Sequence, residues 1–173
     1  MHLSERPLIE TASIQARIAD LAREISADYH GEPLVLLVVL KGSLHFASDL
    51  QRALPIEQSV QLEFIRARSY AGTTSSGDVR LGYTPELNLQ GHHVLILEDI
   101  LDTGRTATVI RDYVQARRPA SVKIGALLDK PARRVVPIEA DYVGFEIDDY
   151  FVVGYGLDYN EAYRHLPAIY CLT

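Results

Sequence analysis

Two adjacent carboxylates, Glu98 and Asp99, directly follow the apolar run Val94-Leu-Ile-Leu97, which predicts a buried strand. Carboxylates in such a place lose hydration, and this costs free energy unless a cation or sugar hydroxyl groups pair with them. Three residues after Asp99, a helix is predicted to begin within Asp102-Thr-Gly-Arg-Thr106. The order of strand, acids, glycine loop and helix therefore predicts a binding site for a polar, charged ligand.

The predicted start of that helix is suited to phosphate. The first backbone N–H groups of a helix have no partner within it and carry partial positive charge, so they bind anions. Gly104 lets a ligand approach the backbone closely, and Thr103 and Thr106 add hydroxyl donors. Arg105 adds positive charge. The glycine patterns of P-loops and of dinucleotide sites do not occur, so the loop predicts a cradle for a monophosphate. An ordinary helix start capped by Asp102 or Thr103 is the alternative.

The elements that must position this segment are readable from the spacing of apolar residues. Four aliphatic residues spaced four, three and four apart predict an amphipathic helix near the start of the chain: Ile14, Ile18, Leu21 and Ile25. Gly31 and Pro33 can end this helix. Leu34–Leu40 is apolar throughout and too short for a helix, so it predicts a strand buried in a mostly parallel sheet.

The rest of the chain continues the alternation of strands and helices. Helices are predicted over 43–54 and 105–117, and strands over 60–64, 94–97, 122–128, 142–145 and 151–153. This order predicts an α/β fold with a doubly wound, mostly parallel sheet flanked by helices. Ligands of such sheets bind beyond the carboxyl ends of the strands, which directs attention to the loops after Leu40, Leu97 and Leu128.

Composition excludes several classes of protein. The 173 residues fit one domain, and a net charge of −6 argues against a nucleic-acid binder or a protein that binds anionic membranes. The only cysteine, Cys171, rules out an internal disulfide. The longest aliphatic run has seven residues, whereas a membrane-spanning helix needs about 20. With no apolar signal-peptide core near the start, a cytoplasmic location is expected.

Residues 94–106 resemble the phosphoribosyl-diphosphate-binding motif of the type I phosphoribosyltransferases. That motif is four apolar residues, two acids, two apolar residues, Asp-[Ser/Thr]-Gly, a basic or polar residue and Thr, and all 13 positions match. From Leu34 to Arg164 the chain resembles the hypoxanthine-guanine phosphoribosyltransferases in particular, in their bacterial form. The resemblance implies the type I phosphoribosyltransferase fold as a single domain over 1–173, with a core at about 30–130 and a small hood formed by the N-terminal and C-terminal segments.

The resemblance also implies an activity. Such enzymes carry out a Mg2+-dependent transfer of ribose 5-phosphate from phosphoribosyl diphosphate to N9 of hypoxanthine or guanine, giving IMP or GMP and diphosphate in purine salvage. By this resemblance Glu98 and Asp99 hold the ribose hydroxyls and contribute to a metal site. The loop residues Asp102, Thr103, Gly104, Arg105 and Thr106 hold the 5′-phosphate. Asp102 is also the catalytic residue, a general base or proton shuttle facing N7 of the purine.

Two further segments match the family's diphosphate loop and mobile lid. Lys41 and Gly42, after the first buried strand, bind diphosphate together with Arg164, and the peptide before the lysine can be cis in this family. Ser69 and Tyr70 correspond to the lid that closes over the diphosphate. Exclusion of water matters because a cationic sugar centre is otherwise hydrolysed.

The purine-binding residues implied by the family are Lys130, Phe151 and Val152. Lys130 donates to O6 of a 6-oxopurine, Phe151 stacks on the ring, and the Val152 backbone reads its edge. Asp158 completes the metal-binding residues with Glu98 and Asp99. Read alone, Lys130 is an ordinary surface lysine and Phe151 an ordinary core residue.

The family assembles as a homodimer or homotetramer, which is expected here too. Two other functions remain open from the sequence. One is a non-catalytic regulator that senses a nucleotide and binds DNA or RNA, although the negative net charge disfavours it. The other is a transferase for xanthine or a pyrimidine, although the pair Lys130 and Phe151 and the stretch Phe151–Asp158 favour 6-oxopurines.

Overall fold

The structure is a computed structural model that describes residues 2–55, 57–69, 79–83 and 88–173. Three helices lie within these ranges: α1 (Thr11–Tyr29), α2 (Leu44–Ala53) and α3 (Arg105–Gln115). The strands are β1 (Leu34–Leu40), β2 (Val60–Ser69), β3 (Val79–Tyr83), β4 (His93–Leu101), β5 (Ser121–Asp129), β6 (Tyr142–Glu146), β7 (Val152–Val153) and β8 (Tyr170–Cys171). A single 3-10 turn, Pro131–Arg133, follows β5.

Six strands form one sheet in the order β3-β2-β1-β4-β5-β6. All neighbouring strands are parallel except β2 and β3, which are antiparallel. β1 lies near the middle between β2 and β4 because its residues are apolar on both faces, which only a strand covered on both sides can bury. The carboxyl ends of β1, β4 and β5 therefore meet at one edge of the sheet.

The helices cover both faces of the sheet. Leu36 and Val38 of β1 pack in the same buried cluster as Ile14 of α1 and Phe46 of α2. The alternate β1 residues Val35, Leu37 and Val39 pack on the opposite face, where α3 contributes Ile110 and Val114. The alternation of side chains along a strand thus divides the core into two layers. This arrangement confirms the expected doubly wound α/β fold.

The two ends of the chain pair with each other beside the sheet. Antiparallel bridges join Leu3 to Leu172 and Ile9 to Ile169. The last strand, β8, also pairs with β7 in a separate two-stranded sheet. The N-terminal and C-terminal segments thus form the small hood that the family resemblance implies.

The helices and β1 agree closely with the sequence patterns, but three strands do not: β2 runs on from the predicted 60–64 to Ser69, and β3 and β8 are not predicted at all. The strand β4 also differs from its prediction. The apolar run predicts a strand that stops at Leu97, whereas β4 continues to Leu101 because its pairing with β5 continues through Ile100 and Leu128. Glu98 and Asp99 therefore lie inside β4 and not in a loop after it. Within the described part of the chain, no helix has the length and apolar content needed to cross a membrane.

Candidate active site

The predicted site residues converge at the carboxyl edge of the sheet. Lys41 and Gly42 follow β1, the loop 102–106 follows β4, and Lys130 follows β5. The segment after β7 joins them, since its Glu161 carboxylate lies within ion-pair distance of both Lys41 and Arg164. Residues separated by up to 123 positions in the chain thus form one site.

Glu98 and Asp99 are two neighbouring acidic residues of this site. Glu98 is buried, and its Oε1 has no hydrogen-bond partner within the described residues. Burial, followed by the charge of Asp99, raises the pKa of Glu98 well above its usual value. Burial also raises the pKa of Asp99 to about 6, although hydrogen bonds from backbone N–H groups oppose this shift. A buried and a partly buried carboxylate side by side are costly without a cation or hydroxyl partner, so their chemistry points to a ligand.

Gly42 makes room for the carboxylate of Asp99. A β-carbon at position 42 would lie 1.6 Å from Asp99 Oδ2, so no other residue fits without moving the loop or the acid. The Leu40–Lys41 peptide before this glycine is cis. The loop after β1 therefore lies directly against the acid on the neighbouring strand β4.

The loop from Asp102 to Thr106 leads into α3 through Gly104, which has a positive φ of 83°. A β-carbon there would lie 2.4 Å from Ile138 Cγ2, so glycine is required both by conformation and by space. The turn places the first amides of α3 at the rim of a cavity of about 440 Å³ lined by residues 98–107.

Donors remain available at this helix start. The Arg105 amide has only a long hydrogen bond, 3.5 Å, to Thr103 Oγ1. The Thr106 and Ala107 amides have no protein acceptor within the described residues. Unpaired amides at the positive end of an 11-residue helix are a binding site for an anion. The geometry thus favours the phosphate cradle over an ordinary capped helix, and Gly104 takes the N-cap position without a side-chain cap.

A network of charges occupies the side of the site nearest the β1 loop. Lys41 Nζ lies 2.8 Å from Glu161 Oε2. Arg164 Nη2 lies 2.7 Å from Asp158 Oδ1 and 3.5 Å from Glu161 Oε2, while its Nη1 donates to the Gly156 carbonyl at 2.8 Å. Lys41 and Arg164, predicted as diphosphate ligands, are therefore brought together by one acid, Glu161.

The C-terminal segment is fixed to α2 by a buried tyrosine. The Tyr155 hydroxyl donates a hydrogen bond to the Asp49 carboxylate, and its ring lies 5.8 Å from that of His45. Burial, followed by this hydrogen bond, raises the pKa of Tyr155, which therefore stays protonated and able to donate. This anchor sets the position of the chain between Val153 and Asp158.

Asp102, the predicted catalytic residue, is half-buried and paired with arginines. Arg133 Nε donates to Asp102 Oδ1 at 3.1 Å. Arg134 donates to the main-chain oxygens of Leu101 and Asp102 and forms an ion pair with Asp129. The backbone of Asp102 is thus held by Arg134, whereas its carboxylate meets the more exposed Arg133.

Lys130 is buried and not a surface lysine. Its ammonium donates to the Tyr150 carbonyl and lies 3.5 Å from Asp149 Oδ1. Asp149 in turn lies 3.4 Å from Arg133 Nη1. Because an ammonium has three donors, one remains for a ligand oxygen after these two contacts. Burial of an ammonium costs desolvation free energy, which such partners offset.

Phe151 is 49% exposed, which is high for a large apolar side chain, and its ring meets that of Tyr159 edge to face at 5.8 Å. Val152 is buried in β7 opposite Cys171. An exposed aromatic face next to a backbone fixed by a strand suits a flat heterocycle. Phe151 therefore lies at the surface and not in the core, where phenylalanine is more common.

Of the two predicted lid residues, Ser69 and Tyr70, the structure describes only Ser69. Ser69 is the last residue of β2, paired with Val79 of β3. Tyr70 lies outside the described residues. Their role as a lid stays a prediction.

Magnesium fits the donors of this site. The predicted metal-binding residues Glu98, Asp99 and Asp158 are all carboxylates, and Asp158 Oδ1 is also paired with Arg164 at 2.7 Å. In the part of the chain that the structure describes, no group of three acidic, histidine or cysteine side chains could hold a metal ion by itself. Mg2+ suits such a place because it commonly takes one or two carboxylates and completes its shell with water and substrate phosphate oxygens.

Known proteins of similar sequence identify the family. A family model described as a phosphoribosyl transferase domain matches residues 9–160. The chain belongs to the phosphoribosyltransferase family. The hypoxanthine phosphoribosyltransferase of Escherichia coli K12 is 42% identical over 165 residues, which are 94% of this chain and 92% of that protein. The hypoxanthine-guanine phosphoribosyltransferase of Streptococcus pneumoniae R6 is 43% identical over 95% of this chain and 91% of its own length.

A solved structure is equally similar. The hypoxanthine-guanine phosphoribosyltransferase of Bacillus anthracis superposes with a TM-score of 0.93 at 40% identity, covering 99% of this chain and 100% of that one. The bifunctional TilS/HprT protein of Listeria innocua is 45% identical over 95% of this chain, which spans only 25% of that protein. The chain is therefore a phosphoribosyltransferase, and the relatives of similar length are named hypoxanthine or hypoxanthine-guanine phosphoribosyltransferases.

Sequence reasoning on this phosphoribosyltransferase missed Arg134, which holds the Asp102 backbone, and three charged residues whose side chains pair with that of a predicted site residue. Glu161, Arg133 and Asp149 each contact a predicted site residue, but no role was expected for them. For Glu161 a signal existed, because it lies between Asp158 and Arg164 in a segment that resembles the family. For Arg133 and Asp149 no local pattern distinguishes them from ordinary surface charges.

Proposed function

We propose that this chain transfers ribose 5-phosphate from phosphoribosyl diphosphate to N9 of hypoxanthine and guanine, with Mg2+ as cofactor, giving IMP or GMP and diphosphate. The observation that carries the proposal is the segment 98–106, where the end of β4 leads into α3. Unpaired helix amides lie there beside the buried Glu98, whose Oε1 has no hydrogen-bond partner among the described residues, and the partly buried Asp99. A sugar phosphate supplies both missing partners, an anion for the amides and hydroxyl groups for the carboxylates.

The ribose 5-phosphate is held at its two ends in this proposal. The amides of Thr106 and Ala107, with the hydroxyls of Thr103 and Thr106 and the guanidinium of Arg105, bind the phosphate. Glu98 and Asp99 bind the ring hydroxyls. Binding energy from the phosphate, which does not react, orients the sugar carbon that does react.

The leaving diphosphate is bound on the opposite side of the sugar. Lys41, the Gly42 amide and Arg164 donate to its oxygens and stabilise the charge that develops as the C1′–O bond breaks. Asp99, Glu98 and Asp158 are the residues that would hold Mg2+. When bound, Mg2+ neutralises negative charge on the diphosphate.

The purine is oriented by three residues and deprotonated by a fourth. Phe151 stacks on the ring, the backbone of Val152 meets its edge, and Lys130 donates to O6. Asp102 accepts the purine proton as the C1′–N9 bond forms. An ammonium at O6 selects oxo over amino purines, because an amino group would leave two donors opposed.

The decisive experiment is a steady-state assay of the purified chain. Hypoxanthine, guanine, xanthine, adenine and uracil are each supplied with phosphoribosyl diphosphate, with Mg2+ and with a chelator, and products are separated by chromatography. IMP and GMP formed only with Mg2+ support the proposal. Turnover of xanthine or uracil alone would show that the proposed base specificity is wrong. Absence of turnover with every base would overturn the proposed transferase activity.

Assembly and location follow from the same proposal. We expect a cytoplasmic homodimer or homotetramer that binds neither nucleic acid nor membranes. Sedimentation of the purified chain and a filter-binding assay with total RNA and DNA test these expectations.

A further inference from the structure

Lys41 and Glu161 form an ion pair at the place where the proposed function puts diphosphate. Lys41 Nζ lies 2.8 Å from Glu161 Oε2, and the two side chains are 47% and 64% exposed. Within the described residues, Glu161 is the only partner of the Lys41 ammonium. In the empty site, then, the cation assigned to the leaving group is already neutralised by an acid of the chain itself.

Arg164 differs from Lys41 in this respect. It keeps Asp158 at 2.7 Å and the Gly156 carbonyl at 2.8 Å, and Glu161 is its most distant acceptor, at 3.5 Å. Movement of Glu161 therefore leaves Arg164 in place but frees Lys41 completely.

The backbone of Glu161 is fixed while its side chain is not. The Glu161 amide donates to Asp158 Oδ2 at 2.9 Å, and the residue has a φ of 65° within a tight turn. The carboxylate itself reaches outward and is held only by the two cations. Hydrogen bonding from Lys41 and the nearby charge of Arg164 lower the pKa of Glu161, so it is ionised at neutral pH.

We propose that the Glu161 carboxylate occupies the diphosphate position on Lys41 in the empty enzyme and must leave it for diphosphate to bind. This inference rests on the proposed function, which assigns diphosphate to Lys41. Glu161 is thus an internal competitor that weakens diphosphate binding. It also re-forms the ion pair with Lys41 as the product leaves, so that release does not expose an unpaired cation.

The size of the effect is limited by exposure. An ion pair between half-exposed side chains is worth little, so its loss is expected to tighten diphosphate binding by about two- to fivefold. The gain should shrink as salt rises from about 0.05 to 0.5 M, because screening weakens the pair that Glu161 makes in the wild type.

The test compares Glu161→Gln with the wild type by calorimetric titration of inorganic diphosphate, with and without Mg2+. Glu161→Gln keeps the size and hydrogen-bonding capacity of the side chain but removes its charge. Glu24→Gln is the matched control, because it removes the same charge from an exposed pair with Arg17 on α1. The expected result is tighter binding for Glu161→Gln, no change for Glu24→Gln, and a parallel fall in the product-inhibition constant for diphosphate.

The variant Lys41→Met distinguishes a failure of this inference from a failure of the proposed function. If Lys41→Met weakens diphosphate binding but Glu161→Gln leaves it unchanged or weaker, Glu161 is a positioning residue or a bystander and the inference is wrong. If Lys41→Met has no effect, the diphosphate assignment itself fails, and the inference fails with it. In the Lys41→Met background, Glu161→Gln should have no effect; a persistent gain would also contradict competition at Lys41.

Discussion

Arg133 donates a hydrogen bond from its Nε to Asp102 Oδ1 at 3.1 Å, so the proposed base is already paired in the empty site. The same guanidinium reaches Asp149, which lies 3.5 Å from Lys130. A chain of charges therefore runs from the residue that would accept the purine proton to the residue that would donate to O6. The side proposed to bind diphosphate has a matching feature in Lys41 and Glu161, so a predicted ligand-binding residue on each side is paired within the chain.

Replacement of Arg133 by Met should lower the KM for hypoxanthine by about two- to fivefold, with a smaller change in kcat. The purine competes with Arg133 for the Asp102 carboxylate, and the two side chains are 46% and 38% exposed, so the pair is weak. Initial-rate kinetics measure the effect, with Arg111→Met as the charge-matched control on α3. A higher KM would mean that Arg133 holds Asp102 in place for the substrate.

Asp102→Asn should reduce kcat by about 10²-fold or more, the usual scale for loss of an acid–base group. The amide keeps the shape of the side chain but accepts a proton poorly. Binding of phosphoribosyl diphosphate, measured by calorimetry, should change much less because the amides that hold the phosphate belong to other residues. Turnover at the wild-type rate would remove Asp102 from the role of base.

Lys130→Met should lower kcat/KM for hypoxanthine and guanine by about 10- to 100-fold. Methionine fills the buried space of Lys130 but cannot donate to O6 or to the Tyr150 carbonyl. Diphosphate binding serves as the internal control for folding, since its residues follow a different strand. Unaltered kinetics with both bases, in a folded variant, would show that another group contacts O6.

Asp99→Asn should stabilise the empty protein at pH 8 while it reduces activity. Burial raises the pKa of Asp99 from 3.8 to about 6. The folded state therefore holds this proton more tightly than the unfolded chain, and stability falls as pH rises from about 4 to 6. Asparagine avoids this cost, which is about 1–3 kcal/mol above pH 6.

Urea unfolding of the wild type and of Asp99→Asn at pH 4 and pH 8 measures this effect. The difference in free energy of unfolding should be large at pH 8 and small at pH 4. Because the Ile100 amide donates to Asp99 Oδ1 at 2.9 Å, an asparagine oxygen can accept the same bond. A variant less stable than the wild type at pH 8 would show that the carboxylate has a stabilising partner.

Much of the fold follows from local patterns. The spacing of Ile14, Ile18 and Leu21 predicts α1, and the unbroken apolar run Leu34–Leu40 predicts β1 with its observed bounds. These predictions succeed because helical and strand periodicity are properties of neighbouring residues. The positions of the site loops follow as well, since parallel strands must end at one edge of a sheet.

The residue pattern alone is enough to predict the α/β class, the family, and the segments that are proposed to bind phosphate, diphosphate and purine. Tertiary structure alone decided which charges meet. Arg133 and Asp102 are separated by 31 positions, and Lys41 and Glu161 by 120, so no local rule pairs them. It also decided that β4 runs on through Glu98 and Asp99, because pairing with β5 overrides the polarity of those residues. The physical reason is that burial and ion pairing depend on distances in space, which residue spacing along the chain does not contain.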